Sequence, residues 1–385
     1  DLESCRRHGV RVVNTRGSNS VAVAEHAMLL VLACAKTLNV LQDRYRAGQF
    51  KEARKLAAGV EISGKTLGVF GFGQIGRRVA AMAHDGFGMK ILVTGAAGFI
   101  GGQLWHTLWK RGDEVVGIDN FSYGNPDNLK FDDHDFGAEV RRMDIRDKAG
   151  MLALFEAEKF DVVYNIAGIA PLPDCQSDPV QAIEVNTLGL VNLLEAGRRT
   201  GIKQLVQAST NAMYENETEF PTVEGKFNPP TLIYPNTKYC GERFAQSFAD
   251  TYGMTVTCLR FANVYGPHID CLRKQPPFVG YMIRELYYDR TPEFHSDGNQ
   301  RRDYIYVDDL IALALRVVEH PQKGFDAVNV SSNQSYSVRE LYAIANRLMG
   351  KNIEAKYCPS SHYWAKYPEL YGGCLLYTSD AADEA

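Results

Sequence analysis

The chain is 385 residues long, carries a formal net charge of −4 at pH 7, and is 45% hydrophobic and 23% charged. That length has room for two domains, and so small a charge gives no reason to expect nucleic acid or an anionic membrane as a partner. Its eight cysteines are scattered without a CxxC pair, which argues against a zinc site, so no metal is expected, and against a disulfide framework. No signal-peptide pattern opens the chain, and the most apolar helix-like stretch, residues 21–35, is interrupted by Glu25 and His26 and is no membrane span. A reducing cytoplasm is the expected location.

From the N-terminus, residues 10–14 read as a strand and 20–38 as a long helix capped by Ser18 or Ser20. Residues 66–70 read as another strand, and Gly71-Phe72-Gly73-Gln74-Ile75-Gly76 as a GxGxxG turn opening a helix through Met82. The strings VVNTRGSNSVAVAEHA, GKTLGVFGFGQIGRRVA and FGMK are similar to the D-2-hydroxyacid dehydrogenases. The resemblance covers less than a third of such an enzyme, and the family's catalytic Arg, Glu and His have no match. It carries over only Gly71, Gly73 and Gly76, as former cofactor contacts.

A second glycine turn follows. Residues 90–93 are a short apolar run, then come Gly95, Gly98 and Gly101, then a helical pattern through Phe99, Ile100, Leu104 and Leu108 with Gly112 as its stop. In a strand–turn–helix context the first glycine allows the tight turn. The second admits a pyrophosphate, and the third lets helix and strand pack closely. Phosphates then sit on free N–H groups at the positive end of the helix. Residues 114–118 read as the next strand, ending at Asp119, whose carboxylate can accept both adenosine ribose hydroxyls and repel a 2′-phosphate. With no basic residue at Asn120 or Phe121, NAD is expected over NADP. Residues 1–88 should add no strand beside residues 90–93, whose two edges belong to residues 114–118 and 161–164.

Further markers arrive in a fixed order: Met143-Asp144-Ile145-Arg146-Asp147, then Asn165-Ile166-Ala167-Gly168, then Asn186. After them come Ser209-Thr210 leading to Tyr214, Tyr234-Pro235-Asn236-Thr237-Lys238, Arg260 to Pro267, and Arg302-Asp303-Tyr304. From residue 89 to about 373 the chain resembles the extended short-chain dehydrogenase/reductases, the NAD-dependent epimerase/dehydratase group. The resemblance implies an α/β fold with a doubly wound parallel sheet of Rossmann type over residues 89–267 and 304–332. A smaller, incomplete substrate domain would come from 268–303 and 333–373. It implies NAD contacts from Gly95, Gly98, Phe99, Ile100, Gly101, Asp119, Asn120, Asp144, Ile145, Ala167, Gly168 and Lys238. Asn263 and Arg302 would meet a substrate diphosphate, and a homodimer is compatible with the family. Residues 374–385, CLLYTSDAADEA, look like a translated sequencing adapter, and the whole like a fusion of two genes at a shared stretch.

The chemistry follows from residue types. A hydroxyl loses hydride to NAD only if its proton leaves too. Tyr234 would be the base, its pKa lowered by Lys238 one turn along the same face together with the positive nicotinamide ring, and Lys238 would also hold the nicotinamide ribose. Thr210 would hydrogen-bond the reacting oxygen. Tyr281, Tyr287, Tyr288 and Phe294 read as core and pocket wall, and His268 and His362 as structural or solvated. The implied function is a nucleotide-sugar epimerase acting by transient oxidation to a keto-sugar. The rivals are a dehydratase, disfavoured because Asn211-Ala212 stands where dehydratases place an Asp-Glu pair, a decarboxylase, a reductase, and a non-catalytic NAD-binding or chimeric chain.

Overall fold

The computed structural model describes residues 5, 7–10, 19–56, 59–60, 62, 67–69, 71, 73–85, 89–217, 222–225, 227–273, 276–294 and 297–358. It divides into two units, Asp1–Gly88 and Met89–Ala385. The strand expected at residues 10–14 lies almost entirely outside the described residues, as do His362 and residues 374–385.

In the first unit the elements are α1 (Ser20–Ala35), α2 (Leu38–Arg46), α3 (Phe50–Leu56) and α4 (Gln74–Asp85). The helix expected over 20–38 ends at Ala35, because Thr37 takes a left-handed backbone at φ 51°, and a second helix starts at Leu38. Its N-cap is Asn19 rather than a serine, with no side-chain cap bond. Ala24, Met28 and Val79 make a small core between α1 and α4. Among the described residues this unit has no strand, and residues 67–69 are irregular.

The second unit runs β1 (Lys90–Thr94), α5 (Phe99–Arg111), β2 (Glu114–Asp119), β3 (Arg141–Arg142), α6 (Lys148–Glu158), β4 (Val162–Asn165), α7 (Leu172–Ser177) and α8 (Pro179–Ile183). A π-helical segment (Glu184–Gly189) leads into α9 (Leu190–Thr200), followed by β5 (Gln204–Thr210), α10 (Ile233–Tyr252), β6 (Val256–Phe261), β7 (Asn263–Tyr265) and α11 (Phe278–Tyr287). The remainder is β8 (Glu293–Phe294), β9 (Arg301–Tyr306), α12 (Val307–Glu319), β10 (Phe325–Val330), β11 (Ser335–Ser337), α13 (Val338–Leu348) and β12 (Lys356–Tyr357).

Seven strands form one parallel sheet in the order β10-β6-β5-β4-β1-β2-β3, the doubly wound arrangement. Both edges of β1 are taken, by β2 and β4, with Lys90 opposite Glu114 and Ile91 opposite Val162. Strand alternation divides the core: Ile91 and Val93 pack with Leu104, Trp105, Leu108 and Leu310 on one face, Leu92 with Met151, Phe155, Leu190 and Ala245 on the other. Gly117 makes the close approach of α5 possible, since a Cβ there would fall 2.1 Å from the Trp105 ring. Helix α5 ends where Gly112 turns left-handed at φ 94°.

A second, smaller core of Val279, Met282, Leu286, Phe294, Tyr304, Val338 and Tyr342 joins α11, β9 and α13. Here Phe294 is buried, as expected of a core residue. Tyr287 and Tyr288, expected beside it, are instead 68% and 52% exposed and stack edge-on upon each other. No single helix among the described residues is long and apolar enough to cross a membrane, although the pair α1–α2, bent by 66°, is apolar in sum.

Candidate active site

The turn after β1 is shaped by its glycines. Gly95 takes φ 68°, and a Cβ on it would meet the Ala167 backbone nitrogen at 2.8 Å. A Cβ on Gly101 would meet the Gly95 carbonyl at 2.0 Å. Gly98 is the N-cap of α5 and supplies no side-chain cap, so the first N–H groups of the helix, at Phe99 and Ile100, open onto the turn. At the end of β2, buried Asp119 accepts from the Ala97 N–H (3.0 Å) and the Phe121 N–H (2.7 Å). Burial raises its pKa and those two bonds oppose the shift. Asn120 donates to Asp144 at 2.9 Å, and the Arg146 guanidinium beside Asp144 holds that carboxyl down to about 2. Ile145 is buried, and its side chain closes on Gly189 of the π-helical segment.

The reading of residues 161–164 as a strand shifts by one residue in β4, and Asn165 is wholly built into the sheet end. It accepts from the Thr94 hydroxyl at 2.6 Å and donates to Gln207 at 2.7 Å. Thr94 in turn accepts from the Ala167 N–H at 3.2 Å, which fixes the turn carrying Gly168. The Asn186 amide bridges the Ile169 carbonyl and the Thr237 hydroxyl, both at 3.0 Å, tying this turn to α10.

Helix α10 presents Tyr234 and Lys238 to the end of β5. Lys238 is 6% exposed and donates to the Ala208 carbonyl at 2.8 Å. Gly168 leaves room beside it, since a Cβ there would stand 3.0 Å from the Lys238 Nζ. Half-buried Tyr234 is hydrogen-bonded to Thr210, whose hydroxyl also accepts from the Ala212 N–H at 3.1 Å. Tyr234 and Thr210 therefore meet at the C-terminal end of β5, with Lys238 bonded two residues earlier at Ala208.

Burial pushes the Tyr234 phenol up to about 12, with the Thr210 hydrogen bond opposing it. Burial also pulls Lys238 itself down to about 8. In the chain alone Tyr234 is a neutral phenol.

Asn263 and Arg302 fall on adjacent strands of the small β11-β9-β7 sheet. The Asn263 amide donates to the Asp303 carbonyl at 2.9 Å, and the Arg302 Nη1 to the Arg301 carbonyl at 2.9 Å. Sequence reading overlooked Arg142, which β3 brings beside Asp119 with its guanidinium 5.8 Å from the Phe121 ring centroid. Only strand pairing makes these two neighbours. It also overlooked Glu242, although a four-residue step from Lys238 marks it as facing the same way.

The glycine turn, the uncapped start of α5 and the carboxylate of Asp119 are the donor and acceptor set that a dinucleotide requires, and these residues fit NAD. Residues 91–331 match the model of the NAD dependent epimerase/dehydratase family. The chain belongs to that family. Residues 28–98 match the D-isomer specific 2-hydroxyacid dehydrogenase NAD binding domain, so the two matches overlap on β1 and its turn. The UDP-glucose 4-epimerase of Mycolicibacterium smegmatis is 32% identical over 274 residues, 70% of this chain and 86% of that protein. Among solved structures, the UDP-glucose 4-epimerase of Thermotoga maritima with UDP-glucose superposes with a TM-score of 0.69 at 29% identity, covering 75% of this chain and 90% of that one. The UDP-glucose 4-epimerase of Thermus thermophilus, in complex with NAD, gives 0.65 at 28% identity, again with 75% and 90% covered. As an epimerase/dehydratase family member the chain is an NAD-dependent enzyme of the extended short-chain dehydrogenase/reductase type.

Proposed function

We propose that the chain epimerises a nucleotide sugar, a UDP-hexose or UDP-uronic acid, by transient oxidation of one ring hydroxyl in the cytoplasm. The observation that carries this reading is the meeting of Thr210, Tyr234 and Lys238 at the end of β5, beside Gly168 and the glycine turn. NAD, when bound, supplies the acceptor that takes up the hydride and gives it back. Tyr234 accepts the sugar hydroxyl proton as phenolate, and Thr210 orients that oxygen and shares a hydrogen bond with the base. Lys238, anchored at Ala208, holds the ribose next to Gly168. Asp119 selects the adenosine ribose, and Asp144 and Ile145 frame the adenine. Asn263 and Arg302 hold the substrate diphosphate. The keto-sugar turns over within the site, and the proton returns from Tyr234 to the same oxygen.

The place that dehydratases fill with an acid pair supports epimerisation. Asn211-Ala212 forms a tight 3₁₀ turn there, and its Ala212 N–H is bonded back to Thr210, leaving no carboxylate to eliminate water. The test is incubation of the NAD-loaded chain with UDP-hexoses and UDP-uronic acids. Interconversion of C4 epimers without change of mass is expected. Tyr234→Phe should lose about a thousandfold in turnover while retaining NAD. A product lighter by one water, or near-normal turnover in Tyr234→Phe, would overturn the proposal.

A further inference from the structure

Tyr234, Lys238 and Glu242 recur at four-residue steps and so form one stripe along α10. Each reaches a different one of three consecutive residues at the end of β5. Lys238 donates to the Ala208 carbonyl at 2.8 Å, the Ser209 hydroxyl donates to Glu242 at 2.6 Å, and Tyr234 is bonded to Thr210. Glu242 is 2% exposed, and a fork of Arg260 on β6 grips its carboxylate, Nε at 3.0 Å and Nη2 at 2.6 Å. The same guanidinium donates through Nη1 to the Tyr214 hydroxyl at 2.7 Å, and Tyr214 donates to Asn329 on β10 at 2.6 Å. The Glu242 carboxylate therefore ties the helix bearing Tyr234 to the strand bearing Thr210 through Ser209, and to β6 and the turn after β5 through Arg260.

Two desolvated charges are a poor source of stability, because well-packed apolar residues of the same volume do as well or better. What the pair provides instead is a fixed height and rotation for α10. We propose that Glu242 is a positioning residue: clamped by Arg260 and joined to Ser209, it sets α10 against β5 so that the Tyr234 hydroxyl meets Thr210. The inference rests on the function proposed above only in taking Tyr234 as the base.

Loosening this anchor weakens the Thr210 bond, the one contact that opposes burial at Tyr234. The phenol then titrates at higher pH. The groups facing Tyr234 are Cys175 from α7 and Thr210 from β5, with Lys238 one turn along α10. Those around Glu242 are Arg260 and Cys258 from β6 and Lys238 from α10, with Tyr214 beyond Arg260. None of these is changed by Ser209→Ala.

The experiment compares Ser209→Ala, Glu242→Gln and the double variant Glu242→Met with Arg260→Met, all in the full chain loaded with NAD. Tyr234 is titrated by ultraviolet absorbance as the difference between each protein and its Tyr234→Phe counterpart, which needs no sugar. Its midpoint should rise by about half a pH unit or more in all three. With substrate, kcat should fall about tenfold while KM stays within about twofold. The double variant should melt no lower than the parent and still show both effects. Unmoved titration and kcat in Ser209→Ala, or parental kcat in the double variant, would overturn the proposal and leave the pair a packing element. If Glu242→Gln does not fold, the other two variants decide. A shifted titration in a chain that epimerises no sugar would count against the proposed function and not against the positioning role.

Discussion

The chain holds two glycine turns, and they are locally alike. A Cβ on Gly76 would strike the Gly71 carbonyl at 2.1 Å, as one on Gly101 would strike that of Gly95 at 2.0 Å. Gly71 and Gly95 both have positive φ, and a helix starts within a few residues of each. The surroundings differ completely. The second turn sits at the end of a strand paired on both sides, with Asp119 accepting from its Ala97 N–H. The first has no strand among its described residues, a core of three buried residues, and apolar side chains such as Phe50, Leu29 and Leu30 more than half exposed. A glycine turn is a local property of the sequence, whereas a dinucleotide site is a property of a sheet.

The sharpest way to break that comparison is to put the same strain into both turns. Gly101→Val should cost the fold about 3 kcal/mol through overpacking against Gly95, and should abolish NAD binding. Gly76→Val meets the same local clash, yet NAD content per chain and turnover should stay unchanged. Deletion of residues 1–88 should likewise leave NAD binding intact and improve solubility, because it removes exposed apolar surface. Loss of NAD from the Gly76 variant, measured by absorbance of the denatured supernatant, would show that the first turn does bind the cofactor.

A second test asks what the second unit's site still lacks on its own. An acid held above its ordinary pKa stays protonated to higher pH, so phenolate at Tyr234 in the NAD-free chain should appear only well above pH 10. A positive ring placed beside it favours the charged form, and NAD should lower the midpoint by about one to two units. The difference titration against Tyr234→Phe measures both. A midpoint at or below 10 without NAD would mean that the chain activates its own base without the nicotinamide ring.

What sequence could and could not show divides along the same line. The turn at Gly95–Gly101, the end of β2 at Asp119 and the Tyr234–Lys238 step are local patterns, and the structure has them where they were read. The early end of the first long helix at Ala35 was invisible because a β-branched Thr37 in left-handed geometry runs against local preference. Tyr287 and Tyr288 read as core because aromatic residues usually are, but they lie at the end of α11 and point outward. Arg142 beside Asp119 and Arg260 on Glu242 are products of strand and helix pairing across the sheet. No spacing in the chain announces either.

Arg142 leads to the third test. Asp119 is what sets the second turn apart chemically, and the strand next to it offers the cation a 2′-phosphate would need. Asp119→Asn should cut the preference for NAD over NADP about tenfold, equivalent to about 1.4 kcal/mol. Adding Arg142→Ala should remove the gained NADP affinity. Titration of both nucleotides by protein fluorescence gives the ratio, and an unchanged ratio in Asp119→Asn would locate specificity elsewhere.

The smallest expected effect concerns how the second turn keeps what it binds. The order β4-β1-β2 places the turn after β1 between the loops that follow β2 and β4. Tyr123 belongs to the first loop and Asp174 to α7 beyond the second, and the Tyr123 hydroxyl donates to Asp174 at 2.8 Å. That contact joins the segments that follow the two strands flanking β1. The root of the first loop is already fixed, with the Asn125 N–H and the Asn128 amide both donating to the Ala97 carbonyl, at 2.9 and 3.0 Å. Tyr123 is thus the far end of a strap rooted in the turn itself. Burial and the neighbouring Asp174 carboxylate push its phenol up to about 12, so it remains a donor throughout the neutral range. The proposed transient oxidation would gain from a cofactor that does not leave between turnovers. A single hydrogen bond at a partly exposed site contributes on the order of 1 kcal/mol or less, so Tyr123→Phe should speed NAD release about threefold and leave kcat nearly unchanged. The release rate, followed by stopped-flow as bound NADH is displaced by excess NAD, measures this. Unaltered release would mean that the dinucleotide leaves without parting Tyr123 from Asp174.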